Sequence, residues 1–297
     1  MIWLIALAMA GCGRGAPPRA STGPQRIVSL APAVTETLFA LGAGAEVVGV
    51  SEYCDYPPAV RRLPKAGTFL TPNIEAIVAM RPTLVIGPAS SSNLRGISAL
   101  KAMGIPALMV GGDGSVAEIE RSIEQVGELI GRRVEARRLL GAMRLRMASV
   151  EERLHNVPVR NVLMVVGHQP MVAVGRGTFL DELLASARAN NIADASAQAW
   201  PRFSVEYIIA RRPDVILDGR MGTDPGTPAS FWAEYPSIPA VKNRRVYGYP
   251  EDPTLHPGPR IAQTMEILAR LVHPEAFASA ANGTSPLAGD RGEEARP

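Results

Sequence analysis

Short runs of branched apolar residues recur along the chain, with helical patterns between them. In the first half the runs are RIVSLAP, EVVGVS, TLVIGP and ALMVGG, and in the second half they are NVLMVVG, DVILDG and RVYGYP. Each run is continuously apolar rather than alternating, which is typical of strands that are buried on both faces. Strands that alternate with helices favour right-handed crossovers and mainly parallel sheets. The pattern therefore predicts an α/β fold with two lobes.

One segment stands apart from this alternation because it contains no strand-like run. It extends from Arg132 to Asn156, has one Gly and no Pro, and spaces its apolar residues as a helix does. This spacing predicts a single long α-helix over 132–156, and its place at the midpoint of the chain indicates a connecting role. This helix is expected to connect an N-terminal lobe (25–131) to a C-terminal lobe (157–275).

The two ends of the chain differ in composition from the rest. Residues 13–24 are small and Pro-rich, and residues 276–297 have the same character, without apolar periodicity in either segment. Such segments cannot bury enough apolar surface to order themselves. We therefore expect a flexible tether at the first segment and a disordered tail at the second.

The first twelve residues, MIWLIALAMAGC, are apolar and too short to span a bilayer. They have the length of the hydrophobic region of a secretory signal. The tetrapeptide Met9-Ala10-Gly11-Cys12 is similar to the bacterial lipoprotein processing box, in which small residues precede a lipid-bearing cysteine. We expect residues 1–12 to direct export and Cys12 to carry lipid; the alternative is a secretory signal that is cut elsewhere and leaves Cys12 unmodified.

Composition narrows the classes of function. The chain has 297 residues, of which 46% are hydrophobic, so a sizeable core is expected. The net charge of +3 is spread along the chain and aromatic residues make up only 5%, so nucleic acid is not an expected partner. Cys54 is the only cysteine besides Cys12, and we expect it to be a buried apolar residue rather than a reactive thiol.

One phrase of the sequence occurs twice. NIEAIVAMRPTLVIG begins at Asn73 and SVEYIIARRPDVILD begins at Ser204, and each has a Glu at its third place, Glu75 and Glu206. Asn and Ser are helix caps, and Arg-Pro ends a helix before a buried strand, so each Glu is expected in the first turn of a helix. The simplest account of both carboxylates is that they interact favourably with the helix dipole.

A longer set of motifs gives the repeat a context. RIVSLAPAVTETLFALGAGAEVVGVSEYCDYPP, FLTPNIEAIV, QPMVAVGRGTFLDELL, AWPRFSVEYIIARRPDVIL and HPGPRIAQTMEILARLVHP span about Gln25 to Pro274. Together they resemble the bacterial substrate-binding proteins of ABC importers for cobalamin, haem and ferric siderophores, with the cobalamin-binding members nearest. The resemblance implies two α/β lobes on one long helix and a monomer that delivers its ligand to a permease dimer. It also implies a protein in the periplasm or on the outer face of the cytoplasmic membrane.

The same resemblance implies a role for the repeated carboxylates. In these proteins each lobe carries one Glu that meets basic residues on the permease, and Glu75 and Glu206 occupy the matching places. A permease of two equivalent subunits presents two equivalent basic sites, so a monomer with two similar lobes needs the same acidic residue twice. We expect Glu75 and Glu206 to dock the permease.

The ligand site of a two-lobe α/β protein is expected between the lobes, in loops that follow strand ends. The loops APAV and YPEDP place Pro32, Ala33, Glu251 and Asp252 there. No metal or cofactor of the protein's own is expected in this site.

Three aromatic residues, Tyr53, Phe69 and Trp200, match positions at which cobalamin-binding relatives contact the corrin ring. Flat rings offer a large contact area to a broad planar ligand. The alternative for each of them is a core aromatic that lies beneath a loop.

The sequence departs from the cobalamin pattern in two loops, so haem and ferric siderophores stay open as ligands. The loop after TLVIG reads PASSSN, and PEDPTLHPGPR lacks an expected aromatic insertion. His256 could be an axial ligand to cobalt or to haem iron, and Tyr53 could ligate haem iron.

An enzyme is the rival class. GAGAEVVG lacks the third Gly of a dinucleotide loop, and no HExxH zinc motif occurs. A tetrapyrrole metal chelatase would share the two-lobe shape, but it would need a catalytic His and Glu that converge in the cleft. We expect a binding protein that performs no covalent chemistry.

Overall fold

The computed structural model describes residues 25–68, 70–89, 94–111, 114–219 and 227–280. Four sequence predictions lie outside these ranges and are not addressed by it: the export signal with its lipid-bearing Cys12, the tether at 13–24, the aromatic contact Phe69, and the tail from 281 onward.

The N-terminal lobe is built on a four-stranded parallel sheet. Its strands, in the spatial order β2-β1-β3-β4, are β1 (Ile27–Ser29), β2 (Val47–Val50), β3 (Leu84–Pro88) and β4 (Ala107–Val110). Its helices are α1 (Pro32–Ala40), α2 (Ile74–Ala79), α3 (Leu94–Ala102) and α4 (Val116–Leu129), with 3-10 turns at Gly44–Glu46 and Pro58–Arg62.

The C-terminal lobe is built on a five-stranded sheet in which one pairing is antiparallel. Its strands are β5 (Arg160–His168), β6 (Met171–Ala173), β7 (Ala189–Asn191), β8 (Val215–Asp218) and β9 (Val246–Gly248). Strand β6 pairs antiparallel with β5, and the other pairings are parallel. Its helices are α6 (Phe179–Ser186), α7 (Val205–Arg211), α8 (Pro228–Trp232), α9 (Pro239–Lys242), α10 (Glu251–Leu255) and α11 (Ile261–Val272), followed by a 3-10 helix at Pro274–Ala280.

A single helix of 21 residues, α5 (Arg133–Arg153), runs between the two lobes. It packs against α4 on one side and α11 on the other. Its side chains bond to both: Arg144 pairs with Glu120 of α4, and Arg146 pairs with Glu266 of α11, each at 2.7 Å. The predicted α/β fold of two lobes on mainly parallel sheets is confirmed. No helix in the described ranges is both long and apolar enough to cross a membrane.

The continuous apolar runs are explained by sheets that are covered on both faces. In β1, Ile27 belongs to the central core while the next residue, Val28, packs into a separate cluster on the other face. In β5, Met164 belongs to the central core and Leu163 to a cluster of the C-terminal lobe. Because neighbouring residues of a strand point to opposite faces, both must be apolar here.

The central core is shared by the two lobes. It extends from Ile27 in β1 through Val126 in α4 and Leu140 in α5 to Leu268 in α11. Cys54 is also buried in it, and burial raises the pKa of its thiol, as suits an unreactive apolar residue.

The structure differs from the sequence prediction at the start of the expected tail. Residues 276–280 belong to the 3-10 helix Pro274–Ala280. Phe277 is buried there against the central core, and the guanidinium groups of Arg153 and Arg270 lie 5.2 and 4.6 Å from its ring centroid. An apolar ring with two cations above it anchors this segment, which has no periodic pattern to reveal it.

Candidate functional site

A cleft of about 870 Å³ lies at the carboxyl ends of the N-terminal lobe's strands. The segments that follow β1, β2, β3 and β4 all contribute to its wall, and the segment from Glu251 to Pro257 of the C-terminal lobe closes the other side. This is where open α/β sheets bind ligands, and the volume is within the range that holds a small molecule.

The cleft wall is mostly apolar, but its charged groups have one sign. The apolar part includes Ala31, Pro32, Ala33, Val34, Val110 and Leu255. Three carboxylates line it, those of Asp55, Glu251 and Asp252, together with His256. No Lys or Arg is present among the described residues of the wall. The cleft therefore offers hydrogen-bond acceptors to a ligand rather than cations.

The environments of two of these carboxylates differ. Burial raises the pKa of Glu251, because a carboxylate loses hydration when it is enclosed. Hydrogen bonds from Arg260 lower the pKa of Asp252, since they favour its charged form. Asp252 is therefore an anion at neutral pH.

An ion-pair cluster that includes the wall residue Asp252 connects the two lobes. Glu36 in α1 has a side chain only 1% exposed, and it accepts hydrogen bonds from Arg260 Nε at 2.7 Å and Nη2 at 2.6 Å. Arg260 also donates to Asp252, from Nη1 at 2.7 Å and from Nη2 at 3.0 Å. The ring of Tyr56 lies over the guanidinium, whose carbon is 4.1 Å from the ring centroid.

His256 stands beside this cluster. Its Nδ1 is 3.4 Å from Glu36 Oε1 and 3.3 Å from Asp252 Oδ1. These three residues are the group in the described part of the chain that could hold a metal ion, with one ligand atom from each within 4.8 Å of the others. Both carboxylates already accept hydrogen bonds from Arg260, so a metal ion here would compete with its guanidinium for their oxygens.

Five of the predicted ligand contacts lie in the cleft wall: Pro32, Ala33, Tyr53, Glu251 and Asp252. Trp200 does not line this cleft; it precedes α7 and is 46% exposed. The two candidate axial ligands, His256 and Tyr53, both lie in the wall. A role in binding stays a prediction for all of these residues.

Sequence reasoning did not find Glu36, Arg260, Asp55 or Ser122. Asp55 and Ser122 line the cleft from the loop after β2 and from α4. Glu36 had a signal that could have been read, because it is the only charged residue in the helical segment PAVTETLFA. A buried Glu needs a cation, and only the folded chain shows that Arg260 supplies it.

The repeated phrases form equivalent structures. Glu75 and Glu206 are each the second residue of a short helix, α2 or α7, and both side chains are exposed. Asn73 Oδ1 accepts from the backbone N–H of Ala76 at 2.9 Å, and Ser204 Oγ accepts from that of Tyr207 at 3.4 Å.

Each of the two carboxylates also lies six residues before an arginine whose backbone is left-handed. The residues after α2 and α7 that adopt left-handed backbone conformations are Arg81 (φ 48°) and Arg212 (φ 51°). Two hydrogen bonds lower the pKa of Glu206, one from the side chain of Ser204 and one from the backbone N–H of Glu206 itself. This carboxylate is therefore charged at neutral pH.

Comparison with known families matches residues 27–253 to the periplasmic binding protein family. An uncharacterized ABC transporter substrate-binding lipoprotein of Bacillus subtilis, YvrC, is 32% identical over 266 residues, which cover 86% of this chain and 82% of that protein.

Two further relatives carry ligand names. The vitamin B12-binding protein of Vibrio campbellii is 27% identical over 236 residues, covering 78% of this chain and 84% of that protein. The apo structure of the periplasmic heme-binding protein RhuT from Roseiflexus sp. RS-1 has a TM-score of 0.77 at 29% identity. The superposition covers 86% of this chain and 100% of the RhuT chain.

Proposed function

This chain belongs to the periplasmic binding protein family, and from that membership we propose that it is the substrate-binding protein of an ABC importer whose ligand is cobalamin or a related corrinoid. The protein captures the ligand between its lobes, delivers it to a permease dimer and leaves it chemically unchanged. It works as a monomer in the periplasm or on the outer face of the cytoplasmic membrane, held there by lipid on Cys12.

The choice of ligand rests on the charge of the cleft. Haem carries two carboxylates and many ferric siderophores are anions, so both would meet Asp55, Glu251 and Asp252 with no Lys or Arg among the described wall residues to balance them. A corrinoid carries neutral amide groups around its ring, and their N–H groups can donate to carboxylates. Relatives named for vitamin B12 and for haem are about equally similar to this chain, so sequence similarity does not favour either ligand. The charge of the cleft wall favours a corrinoid.

Docking on the permease through Glu75 and Glu206 is supported by the two equivalent helices. Glu75 and Glu206 are exposed carboxylates at matching places in the two lobes, as a permease with two equivalent basic sites requires. Their helix-dipole role is compatible with docking, because an exposed carboxylate in the first turn can do both.

Haem is the second candidate because His256 lies in the cleft wall and could reach an iron atom. A chelatase is the enzymatic rival, and turnover of a tetrapyrrole with a metal ion would distinguish it from a binding protein.

The experiment is a calorimetric titration of the purified protein with cyanocobalamin, haemin and a ferric siderophore, with tryptophan fluorescence followed in parallel. We expect tight one-to-one binding of cyanocobalamin and weak or absent binding of the other two. Preferred binding of haemin would show that the proposed ligand is wrong, while the protein would still be a transport protein of the same class. Failure of all three would contradict the proposed ligand class.

A further inference from the structure

We propose that Arg260 is a positioning residue, which sets the place of the Asp252 carboxylate in the cleft and is itself anchored on the opposite lobe by Glu36. This inference rests on the proposed function, because it concerns how that same cleft holds a ligand. Arg260 is absent from the described cleft wall, so it acts through Asp252 rather than by touching the ligand.

The geometry of the guanidinium explains how one residue can fix another. Nε and Nη2 of Arg260 engage both oxygens of Glu36, and Nη1 and Nη2 engage both oxygens of Asp252. The guanidinium is planar and rigid, so two bidentate contacts hold both carboxylates in one defined arrangement. A lysine ammonium, which is a single point of charge, could not impose that geometry.

The side chains of the cluster become more exposed from Glu36 through Arg260 to Asp252. The side chain of Glu36 is 1% exposed and that of Arg260 is 12% exposed, whereas that of Asp252 is 41% exposed. The buried end cannot be separated without leaving a desolvated charge, so it is the anchor. The exposed end has oxygen surface left to face a ligand in the cleft.

Backbone packing ties the same segment to the N-terminal lobe. Gly258 lies so close to α1 that an added Cβ would be 3.3 Å from Ala33 Cα and 3.4 Å from Ala33 Cβ. Ala33 itself lines the cleft. The loop between α10 and α11 therefore meets α1 at two points, Gly258 on Ala33 and Arg260 on Glu36. These two contacts fix the position of Asp252 relative to the opposite wall of the cleft.

The test measures the dissociation constant of cyanocobalamin for four forms of the purified protein. These are the wild type, Asp252→Asn, the paired variant Glu36→Gln with Arg260→Met, and the variant that combines all three changes. The paired variant removes both buried charges together and so avoids leaving Glu36 without a partner. Thermal unfolding of each form, measured in parallel, shows whether it is folded.

We expect Asp252→Asn and the paired variant each to weaken binding by about tenfold, and the triple variant to bind no more weakly than either. This lack of additivity is what a residue that acts through Asp252 must show. Losses that multiply in the triple variant, or a paired variant that binds as the wild type does, would overturn the proposal.

A second readout does not depend on the identity of the ligand. The carboxyl carbon of Asp252, followed by NMR against pH, should titrate at a higher pH in the paired variant than in the wild type, because hydrogen bonds from Arg260 are the largest cause that lowers the pKa of Asp252, while His256 and Asp55, which also lower it, are present in both forms. Glu266→Gln is the control, because it removes the ion pairs of Glu266 with Arg146 of α5 and with Arg270 of α11, outside the cleft wall, and should change neither readout.

Failure of this proposal and failure of the proposed ligand are distinguishable. If the wild type does not bind cyanocobalamin, the ligand is wrong. The same four proteins are then compared with haemin or the ferric siderophore, whichever binds, and the NMR titration is unaffected. If Asp252 titrates identically in the wild type and the paired variant, Arg260 does not control this carboxylate and the positioning role is wrong.

Discussion

Arg260 at the start of α11 and Glu36 in α1 are 224 positions apart in the chain and form a bidentate ion pair across the two lobes. Arg260 also binds Asp252 of the cleft wall, and the core that the two lobes share includes buried residues of α5. The two walls of the cleft are therefore held together by buried side chains as well as by one helix.

This double connection predicts that ligand binding moves the lobes by only a few degrees. Lys101 in α3 and Lys242 in α9 are exposed, one on each lobe, and can carry spin labels as Lys101→Cys and Lys242→Cys in a chain with Cys12→Ala. Cys54 is buried and should not react with the label. We expect nearly the same label-to-label distance with and without ligand; a wide shift would contradict the fixed arrangement.

Replacing Glu75 and Glu206 together by Ala should abolish ligand uptake by cells while leaving ligand affinity unchanged. Both carboxylates are exposed and absent from the described cleft wall, so their loss should affect docking alone. Uptake is measured with labelled ligand, and affinity by calorimetry. Glu135→Ala is the matched control, because Glu135 is also an exposed carboxylate in the first turn of a helix. Uptake that survives the double replacement would rule out the docking role.

The sign of charge in the cleft should decide which ligand is preferred. Asp55→Lys places a cation in the wall where an anion now lies, and it should weaken binding of cyanocobalamin while strengthening binding of haemin, each by about tenfold. Asp55→Asn, which removes the charge without reversing it, should have a smaller effect in the same direction. The measurement is competitive titration of both ligands, and unchanged preference in Asp55→Lys would show that charge does not select the ligand.

The left-handed conformation of Arg212 should cost stability that glycine would restore. A non-glycine residue at φ 51° is strained by its Cβ, so Arg212→Gly should raise the free energy of unfolding by about 0.5–1 kcal/mol. Ala210→Gly is the control two positions earlier, at an exposed position in the last turn of α7, and it should lower that free energy by up to about 1 kcal/mol. Urea unfolding measures both free energies. A destabilised Arg212→Gly would show that contacts of the Arg212 side chain stabilise the fold by more than the left-handed backbone costs.

Stability should fall as the pH is lowered below about 6.5 because His273 is buried without charge. Burial lowers the pKa of His273 from its ordinary value of 6.5. Between the lowered pKa of His273 in the folded chain and its ordinary pKa in the unfolded chain, the unfolded chain binds more protons. The free energy of unfolding therefore increases with pH in this range, and the contribution of His273 is lost on acidification.

Urea unfolding at pH 7.5 and pH 5.5 checks this prediction, with His273→Gln as the comparison. The variant should lose less stability between these two pH values than the wild type does. Glu275 and Asp252 have pKa values lowered from 4.5 and 3.8, so their contributions disappear only at more acidic pH. An equal loss in the variant would assign the pH dependence to other groups.

Local patterns were sufficient for most of the fold. The seven apolar runs correspond to β1, β2, β3, β4, β5, β8 and β9, and the long helical segment corresponds to α5. Strand β7 was missed because it reads Ala-Asn-Asn and so has no apolar run, and β6 was missed because it follows β5 directly, with no helix between the two strands. Their pairing depends on β5, which places them at the edge of an existing sheet.

The site was predictable only as far as loops and strand ends define it. Pro32 and Asp252 were placed in the cleft because they follow strand ends, which is a rule of the fold class. The pairing of Glu36 with Arg260 was not predictable, since no local pattern relates residues so far apart. Trp200 was assigned to the cleft by resemblance, and its exposure at the start of the α7 segment had no signal in the sequence.

The shared core has a consequence for how this chain can be divided. Because Val126, Leu140 and Leu268 belong to one cluster, a cut on either side of α5 would expose apolar surface on both halves. Neither half carries a complete interior, so the lobes are parts of one folding unit and not domains that could be exchanged between relatives. Recombination within this family should therefore succeed at surface loops and fail at the midpoint of the gene.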